Sequence, residues 1–221
     1  MDSLDQIDGV LPANQARSRH ARDRLLQAGD KVFAKLGYDA AHVNDIAQAA
    51  GCSVGSFYRR FRDKEAFFKA LHHRFTERNL ENASRFFAME DWEDQPASAV
   101  IRTLIENTAH IMKRNQGFFR ALFQRSLAGA GADYWPRMRA GTGRQGELLA
   151  QFLIARGEDK GRENLAADCT FILRSVDGAI VHRLLNDGPY IDEEFVIESL
   201  SRMALAFLGV EDHGKPAADG K

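Results

Sequence analysis

Hydrophobic positions along this chain recur at helical spacing. Between residues 97 and 115, Ile101, Leu104, Ile105, Thr108, Ile111 and Met112 follow the i, i+3, i+4, i+7 pattern that lines one helix face. No stretch alternates apolar and polar residues as a half-buried strand would. The periodicity predicts helices over 17–36, 43–50, 54–61, 64–88, 97–115, 117–128, somewhere within 133–156, 163–186 and 193–208. Gly37 stands where the first helix would stop, and Asn186-Asp187-Gly188-Pro189 reads as a sharp turn between the last two.

Composition agrees with the periodicity. The 31 Ala and 20 Leu outnumber the 9 Val, 10 Ile and 5 Thr about two to one, so the expected class is all-α. A length of 221 residues bounds the chain to one or two domains. The acidic run Glu90, Asp91, Glu93, Asp94 before Pro96 is the best candidate boundary. Residues 1–16 and 210–221 read as a flexible arm and tail. No apolar run is long enough to cross a bilayer and no basic start precedes one, so a cytoplasmic location is expected. Cys52 and Cys169 alone make neither a disulfide framework nor a zinc cluster, and no metal or cofactor is expected.

The segment HVNDIAQAAGCSVGSFYRRF, His42 to Phe61, carries the most specific signal. Val43, Ile46, Ala47 and Ala50 give the first short helix a narrow apolar stripe; Gly51 can take the left-handed backbone that ends it. Ser53 is placed to cap the next helix, which Phe57 and Phe61 fasten to the core. Val54, Gly55, Ser56, Tyr58, Arg59 and Arg60 then surround that helix's start and outer surface. Two short helices across a tight glycine turn form the DNA-binding helix-turn-helix pattern.

Charge supports this by position. The whole chain nets -1, yet residues 14–80 hold 13 basic against 7 acidic side chains, and the flanks are acidic. Clustered Lys and Arg supply the sequence-independent part of DNA affinity.

Residues 17–75 resemble the DNA-binding domain of the TetR family of bacterial transcriptional regulators. The matching positions are Gly37-Tyr38, Val43-x-Asp45-Ile46-Ala47, Ala50-Gly51-x-Ser53, Phe57-Tyr58-x-x-Phe61 and Lys64-Glu65-Ala66. The resemblance implies an N-terminal three-helix domain (17–80), a helical effector-binding and dimerising domain (81–209), and a palindromic operator. It also implies that 54–61 is the recognition helix and that Gly55 and Ser56 let it approach DNA closely. Tyr58 and Lys64 would contact phosphate, Arg59 or Arg60 phosphate or a guanine edge, and Arg17 and Arg19 the minor groove. Ala41 and His42 depart from the family's usual Thr or Ser before Val43; His42 can donate to phosphate but caps poorly.

Beyond residue 81, Leu165, Cys169, Ile172, Val176 and Ala179, widened by Leu173, Ile180 and Leu184, form a face at spacings of three and four. Val196, Leu200, Met203 and Phe207 form another. These stripes fit burial within one chain. With the resemblance, they fit a two-fold interface through Cys169, Ile172, Val176, Ile180, Val196, Leu200, Met203 and Phe207. His110, Phe118, Phe119, Phe123, Trp135, Met138, Phe152 and Phe171 read as an aromatic core or the lining of a pocket for an apolar or aromatic effector.

Other motifs carry less. Gly141-Thr142-Gly143-Arg144-Gln145-Gly146 matches a dinucleotide fingerprint without its strand, and reads as a mobile loop or interrupted helix. His72 and His73 are adjacent on a helix and diverge. Cys52 reads as a buried filler, and no nucleophile–base arrangement stands out. The expectation is a non-enzymatic, ligand-released repressor. The alternatives are a nucleoid-type DNA binder without effector, or a helical-bundle enzyme acting on a lipophilic molecule.

Overall fold

A computed structural model describes residues 3–13, 15–185 and 192–214. Among them the chain is helical: α1 (Ala16–Ala40), α2 (Val43–Ala49), α3 (Val54–Tyr58), α4 (Lys64–Phe87), α5 (Ala97–Arg114), α6 (Gln116–Arg125), α7 (Gly131–Ala155), α8 (Leu165–Leu185) and α9 (Glu193–Leu208). The turn expected at 186–189 lies outside the described residues. Two compact units divide the chain. The first holds the described residues up to Arg78 with Asn115–Arg137; the second holds Asn79–Arg114 and the described residues from Met138 onward.

The first unit is built on an aromatic core. Phe57, Phe61 and Phe67 cluster at centroid distances of 5.0–5.4 Å, and Phe33 and Phe118 flank Phe68 at 5.9 Å each. Such edge-on and offset pairs add to the apolar area they bury. α1 stops being helical at Gly37, whose φ of +74° a side chain would strain. α6 (sequence-expected in the C-terminal domain) packs on α1 in this unit. A Cβ on Gly117 would collide with the Asp30 carbonyl and the Ala34 amide, so glycine sets how closely the two helices approach. Helical periodicity alone does not say which partner a helix buries its face against.

The N-terminal segment is docked rather than free, a correction to the expected arm. Leu4, Val10 and Ala13 are buried, Val10 bridges Phe61, and Leu11 donates its amide to the Arg60 carbonyl at 2.8 Å. Asp5 meets the buried guanidinium of Arg22 at 2.6 Å. A cation on the inner face of α1 needs a counter-charge, and the N-terminal segment supplies it.

In the second unit α5 packs against α8 and α9. Gly209, at φ +69°, ends α9, and the Val210 amide returns to the Leu205 carbonyl at 3.0 Å. Residues 210–214 are docked too: Val210 is buried and Asp212 meets Arg102 at 2.6 Å, a guanidinium that also holds Glu198 at 2.6 Å. The glycine-rich 141–146 lies inside the uninterrupted α7, not in a loop. Gly146 earns its place by close packing, since a Cβ there would collide with Thr170 of α8.

Candidate nucleic-acid interface

The helix-turn-helix forms as its sequence dictates. Asp45 answers the missing cap of α2: its Oδ2 accepts the His42 amide at 2.8 Å. An acidic residue three positions into a helix is a readable signal for this. Gly51 takes φ +62° after α2, and the Cys52 amide closes the turn on the Ala47 carbonyl at 2.9 Å. Ser53 Oγ accepts the Ser56 amide at 3.2 Å, capping α3. Phe57 is fully buried, while Gly55, Tyr58 and Arg59 are exposed and Val54 and Ser56 half-buried. α3 ends at Tyr58, three residues before the expected limit, and beyond it the chain pairs Phe61 with Val10.

Around this turn lies a depression of about 610 Å³ with a cationic wall. α1 contributes Arg17, His20 and Arg24; the residues after Ser53 contribute Ser56, Arg59 and Arg60. Among the described residues no hydrogen bond or ion pair engages the Arg59 side chain. Arg24 reaches Cys52 Sγ at 3.5 Å. His20 and Arg24 were not singled out from sequence. Their spacing from Arg17, three and then four residues, would have placed all of them on one helix face.

Two of the expected contact residues are engaged by the chain itself. Arg60 is 8% exposed, its guanidinium donating to the Ser18 carbonyl at 3.1 Å and to the Ser56 carbonyl and Oγ at 2.7 and 2.9 Å. It ties α3 to α1 and does not present itself outward. Lys64 Nζ donates to the carbonyls of Tyr38 at 2.8 Å and Ala41 at 2.9 Å and lies 4.5 Å over the Tyr38 ring. Its ammonium caps the chain leaving α1, and burial lowers its pKa. Tyr58, Arg59 and Arg17 keep the exposure a DNA contact needs; Arg19 is exposed beside the Ala13 carbonyl, at 3.4 Å.

The expected pocket residues divide between the two units. Phe118 and Phe119 are core of the first unit, where Phe123 also meets Trp135 at 5.3 Å. In the second unit His110 is exposed, Met138 is half-buried, and Phe152 packs on Phe87 at 5.8 Å. Phe171 is exposed and pairs with Phe207 at 5.4 Å. The expected interface divides as well. Cys169, Ile172, Val176, Ile180 and Leu200 are buried inside the second unit and Val196 is half-buried, while Met203 and Phe207 are exposed. A periodic stripe marks the buried face, so the outward one falls a third of a turn away, through Phe171 and Gly178 of α8.

Residues 25–71 match the family model described as bacterial regulatory proteins, tetR family. The N-terminal unit carries a TetR-family domain. The repressor Rv1474c of Mycobacterium tuberculosis is 44% identical over 64 residues, 29% of this chain and 34% of that protein. The chain thus spans about a third of the length of several curated relatives it matches. The regulator YerO of Bacillus subtilis is 24% identical over 90% of this chain and 72% of its own. The fatty acid degradation regulator FadR of Bacillus halodurans superposes with a TM-score of 0.64 at 18% identity, over 88% of this chain and 97% of that one. The TetR-family domain therefore coincides with the helix-turn-helix, and the likeness of fold extends across the helical body.

Proposed function

We propose that the protein is a dimeric, effector-released transcriptional repressor that reads a palindromic operator through α3. The observation that carries this is the cationic depression: Arg17, His20 and Arg24 of α1 converge with Arg59 on the exposed end of the helix-turn-helix. Phosphates would bind the arginines, leaving Tyr58, Ser56 and Gly55 against the duplex. The relatives named as repressors favour repression as the regulatory sense.

Two copies would pair through the outward faces of α8 and α9, where Phe171, Phe195, Met203 and Phe207 are exposed. Exposed apolar side chains of this kind, with Phe171 and Phe207 paired at 5.4 Å, mark association surfaces. A two-fold axis places two recognition helices one DNA turn apart, ~34–36 Å. The effector would act by binding the arrangement that misfits this spacing.

Footprinting on DNA upstream of the protein's own gene tests the reading. A protected palindrome that a small molecule releases supports it. Uniform coverage without sequence preference would favour a nucleoid-type binder instead.

A further inference from the structure

We propose that Gly9, Val10 and Leu11 are positioning residues for operator recognition: they clamp the chain leaving α3 and so preset the recognition helix for DNA. The inference rests on the operator-binding reading above and adds what holds α3 in place.

α3 has five residues, far short of the roughly 12–15 that an isolated helix needs to be even marginally stable in water. Its order must come from its surroundings. Ser53 caps its start and Phe57 buries its inner side. The N-terminal segment holds its exit. The Leu11 amide donates to the Arg60 carbonyl and the Arg62 amide to the Gly9 carbonyl, each at 2.8 Å, around the antiparallel bridge between Val10 and Phe61. The Arg60 side chain in turn donates to the Ser18 carbonyl on α1 and to the Ser56 carbonyl and hydroxyl on α3. The residue whose backbone the N-terminal segment grips is thus the one that bolts α3 to α1.

The clamp fits closely. Gly9 takes φ +80°, and a Cβ there would lie 2.7 Å from the Ala66 Cβ. Val10 is buried with Phe61, and upstream Leu4 is buried beside the Asp5–Arg22 pair. At the exposed edge, Asp8 takes the Arg62 guanidinium through both oxygens at 3.0 and 3.1 Å.

Charge separates positioning from contact. Residues 1–13 hold Asp2, Asp5 and Asp8 and no Lys or Arg. Phosphates repel an acidic segment, so it serves binding through α3 and not by touching the duplex.

Three full-length variants test the clamp. Val10→Asp should release the segment, Gly9→Ala should displace it by adding a single methyl, and Val10→Ile keeps the buried apolar contact. Hydrogen exchange without DNA should quicken at the amides of 56–62 in the first two and not in Val10→Ile. The amides of α5 and α8 should exchange as in the wild type. Affinity for the footprinted operator duplex should fall about tenfold in Val10→Asp, as it would if α3 were preset a tenth of the time. The loss should be smaller in Gly9→Ala and absent in Val10→Ile. A scrambled duplex, held by phosphate contacts alone, should lose less than the operator. Should Val10→Asp fail to fold by circular dichroism, Gly9→Ala decides. Unchanged exchange at 56–62 would overturn the proposal, as would a lower melting temperature with operator affinity intact, which would make the segment a stabiliser only. Equal losses on both duplexes would also overturn it. A wild-type chain that protects no operator counts against the regulator, while quickened exchange at 56–62 would still uphold the clamp on α3.

Discussion

Asp30 of α1 accepts the amide of Phe118, at the start of α6, at 2.9 Å. The carboxylate thus satisfies an N-terminal amide of a helix whose own cap position, Asn115, makes no side-chain cap. With Gly117 beside it, this fixes α6 against the helix that carries Arg17 and Arg24. Replacing Gly117 with Ala forces the backbones apart and should lower stability by about 1–3 kcal/mol, the usual range for overpacking. Asp30→Ala should cost about 1 kcal/mol, a typical hydrogen bond. Urea denaturation of both variants checks the order.

A carboxylate hub should be similarly sensitive. Glu65 accepts the Tyr38 hydroxyl at 2.9 Å and the Tyr134 hydroxyl, and meets Arg125 at 2.7 Å. Glu65→Ala strands two buried phenols and a cation, and should cost more than Tyr38→Phe alone. With these groups partly solvated, about 2–3 kcal/mol is expected, measured by urea midpoints.

Stability should depend on pH through two opposed groups. Burial first, then Arg137, lowers the His72 pKa to about 4 in the fold. The unfolded chain takes up that proton near 6.5, so His72 makes stability fall as pH drops from about 6.5 to about 4. Asp177, raised to about 6 by burial, does the reverse: its ionisation makes stability fall as pH rises from about 4 to about 6. In the wild type the two oppose each other, and the lowered carboxylates of Asp63, Glu193 and Asp212 add to the sign of His72. His72→Phe should shift the slope toward the sign of Asp177 and Asp177→Asn the opposite way, each by up to about 1.4 kcal/mol per pH unit. Urea midpoints measured from pH 4 to 7 give the sign.

The outward aromatics separate interface from core. Phe171→Asp with Phe207→Asp should yield a folded monomer with weakened operator binding, read by sedimentation and circular dichroism. A dimer that survives both changes would place the interface elsewhere.

What was legible in the sequence was what the backbone demands locally. Gly37 and Gly51 at left-handed positions and Ser53 as a cap stand where expected. α9 has its expected limits. Direction was not legible. Arg59 and Arg60 are adjacent and chemically identical, yet one is exposed and the other folds back onto Ser18 and Ser56. Nothing within the helix-turn-helix segment says which, because the Ser18 carbonyl is 42 residues away. The same holds for Asp5, whose partner Arg22 is revealed only when α1 turns that face inward. On α8, spacing identified a stripe but not whether a neighbour in the same chain or a second subunit covers it.

Operator binding as proposed requires that the arginines around the helix-turn-helix meet phosphate. The measurement is fluorescence anisotropy of a labelled duplex against salt, for wild type, Arg24→Ala with Arg59→Ala, and Arg60→Gln. The double variant should flatten the slope of log affinity against log salt by about 1.8, roughly 0.9 for each lost phosphate contact. Arg60→Gln should lower affinity while leaving the slope as it was. An unchanged slope in the double variant, or a slope lost only with Arg60, would contradict the account.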